Sequence, residues 1–160
     1  MRGGRLVIAI YPGTFDPITF GHMDVVKRAT GIFSSVIIAI PDISVKNNLL
    51  EISKRAEIIN QLYQDNDSVS VEVFSGLLVD WMTVNGHKII VRGFRDSVDM
   101  ANEWRMAHCN QVLSKSIETL FLAASPEVSH ISSSLVREVI LCGASIKPFV
   151  PSIVAENIDL

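Results

Sequence analysis

The chain has 160 residues, of which 48% are hydrophobic and 19% charged, and its formal net charge is −3. That length and apolar content suit one domain around a single core and exclude a disordered chain. The negative balance excludes non-specific nucleic-acid binding, which needs a broad basic face to release counterions; a small basic pocket for phosphate stays open.

The apolar runs Leu6–Tyr11, Val36–Ile40, Ile89–Val91 and Leu120–Ala124 are far shorter than the roughly 20 residues that cross a bilayer. The opening Met1-Arg2-Gly3-Gly4-Arg5 leads straight into a strand-like run and lacks a cleavable signal pattern. No membrane association is expected. Cys109 and Cys142 form neither a Cys-x-x-Cys nor a zinc-spaced Cys/His set. They are expected to be buried free thiols in a reducing cytoplasm.

In chain order, Leu6–Tyr11 reads as a strand buried on both faces. Gly21–Ala29 is a helix with Met23, Val26 and Ala29 on one side and Gly31 as its stop. Val36–Ile40 is a second strand, and Ser53–Tyr63 a helix that turns Ala56, Ile59, Leu62 and Tyr63 inward. Val69–Phe74 alternates as a strand, and Leu77–Val84 is a short helix closed by Asn85-Gly86. Lys88–Val91 is the fourth strand. Asp96 or Ser97 then caps a long helix to about Leu113, with Val98, Ala101, Met106 and Val112 among its apolar positions. Thr119–Ala123 is the fifth strand, Ser132–Ser134 cap a helix ending near Cys142-Gly143, and Pro151 opens a last short helix.

Strands that alternate with helices predict an α/β fold: a single doubly wound, Rossmann-like domain over residues 1–160. Its sheet would be five-stranded and parallel, with helices on both faces. Such sheets bind ligands beyond the carboxyl ends of their strands, so the segments just after the strands carry the functional reading.

After the first strand stands Tyr11-Pro12-Gly13-Thr14-Phe15-Asp16-Pro17-Ile18-Thr19-Phe20-Gly21-His22. It contains neither Gly-x-Gly-x-x-Gly nor Gly-x-x-x-x-Gly-Lys-Ser/Thr, the usual marks of dinucleotide and P-loop sites. Thr19-x-Gly21-His22 instead opens a helix, where unpaired amides and a partial positive charge suit phosphate. An imidazole there can donate to a phosphoryl oxygen. After the fourth strand, Arg92-Gly93-Phe94-Arg95 offers two forked cations around a glycine. After the fifth, Ser132-Ser133-Ser134 at a helix start can act as plain caps or cradle a nucleotide's β- and γ-phosphates.

The twelve positions from Tyr11 to His22, the Arg-Gly-x-Arg segment and Ile131-Ser132-Ser133-Ser134-x-Val136-Arg137 together resemble the bacterial phosphopantetheine adenylyltransferases. These are nucleotidylyltransferases, and the likeness runs through to Phe149-Val150-Pro151. It implies transfer of AMP from ATP to 4′-phosphopantetheine, giving dephospho-coenzyme A and pyrophosphate in coenzyme A biosynthesis. By the same resemblance His22 stabilises the transition state, with Thr14, Lys46 and Arg92 also catalytic. Thr14, Lys46, Leu78 and Arg92 would bind phosphopantetheine. Thr14, Phe15, His22, Gly93, Phe94, Arg95, Glu103, Val128, Ser129, His130, Ile131, Ser132, Ser133 and Ser134 would bind ATP.

Mg²⁺ bound mainly through ATP phosphates, a homohexamer and inhibition by coenzyme A are further implications. Glu51-Ile52-Ser53-Lys54-Arg55, where the family usually has Thr-x-Glu-Glu-Arg, departs from the pattern, as do Val128 and Met100-Ala101-Asn102, where aromatics are common. The rival readings are a nucleotidylyltransferase with another nucleotide or acceptor, a non-catalytic nucleotide-binding module and a fragment like a tRNA synthetase. The last is disfavoured by the chain's length and charge.

Overall fold

A computed structural model describes residues 7–43 and 48–158. Five strands alternate with helices: β1 Ile8–Pro12, α1 Phe20–Thr30, β2 Ser35–Pro41, α2 Ile52–Leu62, β3 Val69–Phe74 and α3 Leu78–Val84. They continue as β4 Ile89–Phe94, α4 Ser97–Leu113, β5 Glu118–Ala123, α5 Ser133–Leu141 and α6 Ser152–Glu156. Every element expected from the sequence is present, with ends shifted by a few residues at most.

All four strand pairings are parallel, and the sheet order is β3-β2-β1-β4-β5. The chain winds outward from β1 through β2 to β3, then crosses back to lay β4 on the other side of β1. Strand order therefore reverses between β1 and β4. Loops leaving these two strands diverge there and open a crevice at the carboxyl rim.

Side chains alternate across the sheet because successive Cβ atoms point to opposite faces. Ala9, Tyr11, Ile38 and Ile40 pack with Val25, Val26 and Ala29 of α1, Ile58 and Ile59 of α2, Val136 of α5 and Val154 of α6. Ile10, Ile37, Ala39 and Ile90 face the other way, onto Val79 and Met82 of α3. Since both faces of β1 and β2 are covered, each reads as an unbroken apolar run.

One expectation is corrected. Cys109 and Cys142 are free but exposed, because Cys109 rides on α4, which buries no residue, and Cys142 sits at the end of α5. The apolar positions of α4 also face outward, with Val98 at 71% and Val112 at 82% exposure. Its apolar residues do not gather on one side as those of α1 do, so this helix lies along β4 and β5 without entering the core.

Candidate active site

The loop after β1 is fastened by side chains from three other elements. Arg92 of β4 donates to the Pro12 carbonyl, Arg55 of α2 to that of Thr14 at 2.7 Å, and Arg137 of α5 to that of Asp16 at 2.6 Å. The Ser133 hydroxyl donates to the Pro17 carbonyl at 2.9 Å, and the Gly13 amide reaches back to Ala39 at 3.0 Å. Backbone carbonyls outside regular structure need donors, and charged donors make the stronger bonds. Phe15, at φ +48°, holds a left-handed conformation that costs a side-chain-bearing residue roughly 1–2 kcal/mol. Its ring is fully packed, edge-on to Tyr11 at 5.3 Å and to His22 at 5.1 Å, and that burial offsets the cost.

Thr19 caps α1. The His22 amide donates to Thr19 Oγ1 at 3.4 Å, and the Thr19 amide donates to His22 Nδ1 at 3.1 Å. This is a capping box with histidine in the place usually taken by glutamate. A backbone N–H can only donate, so Nδ1 is the acceptor and a neutral ring carries its proton on Nε2. Burial, with Arg92 and Arg95 nearby, lowers the His22 pKa to about 4. At neutral pH the ring is thus an uncharged donor in the cavity wall.

Arg92 forks onto Glu103 of α4, with Nε 2.6 Å from one carboxylate oxygen and Nη2 2.5 Å from the other. Burial works against its charge, but Glu103 more than offsets it and Arg92 is held firmly protonated. Arg95 pairs with Asp99 more simply, its Nε and its backbone amide each donating to one carboxylate oxygen at 3.1 Å. Asp24 of α1 receives the Ser125 amide at 3.1 Å and the Ser125 hydroxyl at 2.8 Å, tying α1 to the loop after β5. Burial pushes the Asp24 pKa up, and the Ser125 and Arg28 hydrogen bonds outweigh it, so the carboxyl stays below its usual range. Ser132 caps α5 by accepting from the Leu135 amide at 3.1 Å, and its hydroxyl lies 2.9 Å from that of Ser134.

These parts enclose a cavity of about 310 Å³ at the switch point between β1 and β4. Of the residues expected to form a site, Thr14, Phe15, His22, Arg92, Gly93, Phe94, Arg95, Glu103, Val128, Ile131 and Ser132, Ser133 and Ser134 line it. Three others do not. Leu78 opens α3 at the same rim of the sheet and packs beside Trp81. The Ser129 hydroxyl turns back to Pro126, and the exposed His130 ring lies 6.5 Å from Phe149. Lys46 lies outside the described residues.

The sequence reading missed Asp16 and Arg55, both almost fully buried, and gave Arg137 only a general cationic part. Arg55 lies in the segment singled out for its departures, which was the one available signal. The two carboxylates lining the cavity, Asp99 and Glu103, are engaged by arginines. No cluster of three or more His, Cys, Asp or Glu at metal-binding distance occurs among the described residues.

A cavity walled by paired cations, an imidazole donor and a serine-capped helix start suits a reaction between two phosphate-bearing molecules. The cytidylyltransferase-like family model matches residues 10–139, which places the chain in the nucleotidyltransferase class of enzymes. The same overall fold occurs in a chain assigned as a nicotinate-nucleotide adenylyltransferase from Vibrio parahaemolyticus. Its TM-score is 0.65 at 15% identity, covering 96% of this chain and 99% of that one. Within the class the likeness narrows. Phosphopantetheine adenylyltransferases from Clostridium novyi and Clostridium tetani are 40% and 41% identical over 151 residues, 94% of each chain. The enzyme of that name from Geotalea daltonii is 39% identical over 154 residues, 96% of each. The chain belongs to the phosphopantetheine adenylyltransferase family.

Proposed function

We propose that the chain carries out the reaction of its family in this cavity, joining AMP from ATP to 4′-phosphopantetheine and releasing pyrophosphate and dephospho-coenzyme A. An oxygen of the acceptor phosphate attacks the α-phosphorus in line as the bond to the β-phosphate oxygen breaks. A phosphate is an anionic nucleophile at neutral pH, so neither a general base nor a covalent enzyme intermediate is needed. What the chain supplies is position and charge stabilisation.

One observation carries the reading: the bond from the Thr19 amide to His22 Nδ1 leaves an Nε2 proton to meet charge building on the α-phosphate. Thr14 orients both phosphates. Arg92 and Lys46 hold the acceptor phosphate, and Leu78 lies along the pantetheine arm. Phe15, Gly93, Phe94, Arg95, Glu103 and the Val128–Ser134 segment, with Ser129, His130 and Ile131, take ATP. Glu103 acts there by orienting Arg92, as its bidentate contact supports.

Mg²⁺ fits as a passenger on the ATP phosphates, since both cavity carboxylates are engaged, and it would neutralise charge on the transferred group. The hydroxyls of Thr14 and Ser132–Ser134, which line the cavity, would be available to hold its water shell.

Residues 1–160 act as one nucleotidylyltransferase domain that assembles as a homohexamer. The exposed apolar residues of α4, among them Trp104, Met106 and Leu113, support that assembly. Coenzyme A, which carries both halves of the product, competes for the same cavity. Two unpaired exposed thiols accord with a reducing cytoplasm. No helix among the described residues is long and apolar enough to cross a membrane.

Pyrophosphate release from the purified protein with ATP, Mg²⁺ and phosphopantetheine tests the reading. Release is expected with this pair; release only with CTP or another acceptor overturns it.

A further inference from the structure

Asp16 and Arg55 are the two charged residues buried in the core among the described residues, at 4% and 2% exposure. Each is spent on backbone. The Asp16 carboxylate accepts from the Leu49 amide at 2.8 Å through one oxygen and from the Leu50 amide at 2.9 Å through the other. Six residues past Leu49, Arg55 returns the favour by donating to the Thr14 carbonyl at 2.7 Å. The segment from Leu49 to Arg55 is thereby stitched to the loop after β1 by three bonds, all involving an ionised side chain. On its other side the Asp16 carbonyl receives Arg137, a residue of α5 that lines the cavity beside the serine cluster.

We infer that Asp16 is a positioning residue for the acceptor: its carboxylate fixes Leu49 and Leu50, just ahead of α2, against the loop carrying Thr14. A carboxylate is needed because both amides donate, and two acceptor oxygens on one short side chain meet them together. An amide side chain at 16 presents one oxygen and one NH₂, so one of the two N–H groups faces a donor and loses its partner. Arg55 is spent in the same way, on a backbone carbonyl, and its Nε and Nη2 find no hydrogen-bond partner among the described residues. This inference rests on phosphopantetheine being the acceptor and on Lys46, three residues before Leu49, belonging to its site.

The test compares the parent protein with Asp16→Asn and Asp16→Glu under steady-state kinetics in both substrates. Calorimetric ATP binding and thermal melts are run alongside. Asp16→Asn is expected to raise the KM for phosphopantetheine about tenfold or more while ATP affinity stays within about twofold. Asp16→Glu, which keeps the charge but displaces the amides, moves the same parameter by less. Unchanged kinetics, or equal losses for both substrates, overturn the inference. If Asp16→Asn does not fold, Asp16→Glu decides on the same criterion. A parent inactive with phosphopantetheine but active with another acceptor overturns the acceptor reading itself, and the role of Asp16 toward phosphopantetheine with it.

Discussion

The backbone amide of Thr19 donates to Nδ1 of His22 at 3.1 Å and so decides which ring nitrogen carries the proton. One turn of helix thus builds both the cap and the donor. His22→Ala is expected to keep the fold and ATP binding but to lose about 10²–10³ in kcat, the usual loss for one preorganised donor. Rapid-quench measurement of the chemical step checks this, and a variant nearly as fast as the parent removes His22 from the transition state.

The depressed His22 pKa makes a prediction about acid. The unfolded chain takes up this proton near the ordinary value of 6.5, whereas the folded chain waits until about 4. Between those limits the unfolded state binds more protons, so stability falls as pH drops from about 6.5 toward 4. Urea midpoints at several pH values read the slope, which His22→Asn is expected to reduce. Over the same window the pH–kcat profile shows no step at 6.5 from this residue.

Gly93 lies against α1 so closely that an added Cβ would sit 2.6 Å from Val25 Cγ2. Val25 is buried and belongs to the helix that carries His22. Gly93→Ala is expected to cost about 1–3 kcal/mol by overpacking and to lower kcat by displacing α1. Adding Val25→Ala should restore part of both. A double variant no better than Gly93→Ala would show that the strain lies elsewhere.

Removing Glu103 leaves Arg92 without its bidentate partner in a partly buried wall. Glu103→Ala should cost about 1.5–3 kcal/mol of stability, the scale for a hydrogen bond to a charged group. It should also raise the KM for phosphopantetheine as Arg92 loses its aim. Denaturant melts and a double-mutant cycle with Arg92→Ala measure the coupling; additive effects would mean the pair does not act as a unit.

On α4, Trp104 is 53% and Met106 58% exposed, large apolar side chains in water on a helix that buries nothing. If the proposed hexamer forms through this face, Met106→Glu is expected to shift the sedimentation profile toward smaller species while the circular-dichroism spectrum holds. An unchanged profile would move the interface to another face.

The fold was legible because each strand and helix announces itself locally. The uninterrupted Val36–Ile40 run marks a strand covered on both sides, and the turn at Asn85-Gly86 marks the end of α3. The β3-β2-β1-β4-β5 order was not legible, since nothing local states which strand lies beside β1. The cavity was legible where chemistry clusters in short stretches, at Thr14–His22, Arg92–Arg95 and Ile131–Ser134. Asp16 and Arg55 were overlooked for the opposite reason: their partners are 33 and 41 residues away, and a charged residue in a loop or first helical turn ordinarily faces solvent. The exposure of α4 was not legible either, since apolar residues scattered around a helix do not state which of its sides meets the sheet.

The three arginines and the serine that grip four carbonyls between Pro12 and Pro17 have a consequence for any attempt to redirect this enzyme. The nucleotide and acceptor walls proposed above share one scaffold, anchored in β4, α2 and α5, so a change made to those anchoring side chains to admit a different acceptor is expected to be felt on the ATP side as well. Altered selectivity is therefore more accessible at the rim, near Leu78, than among the residues that brace the centre.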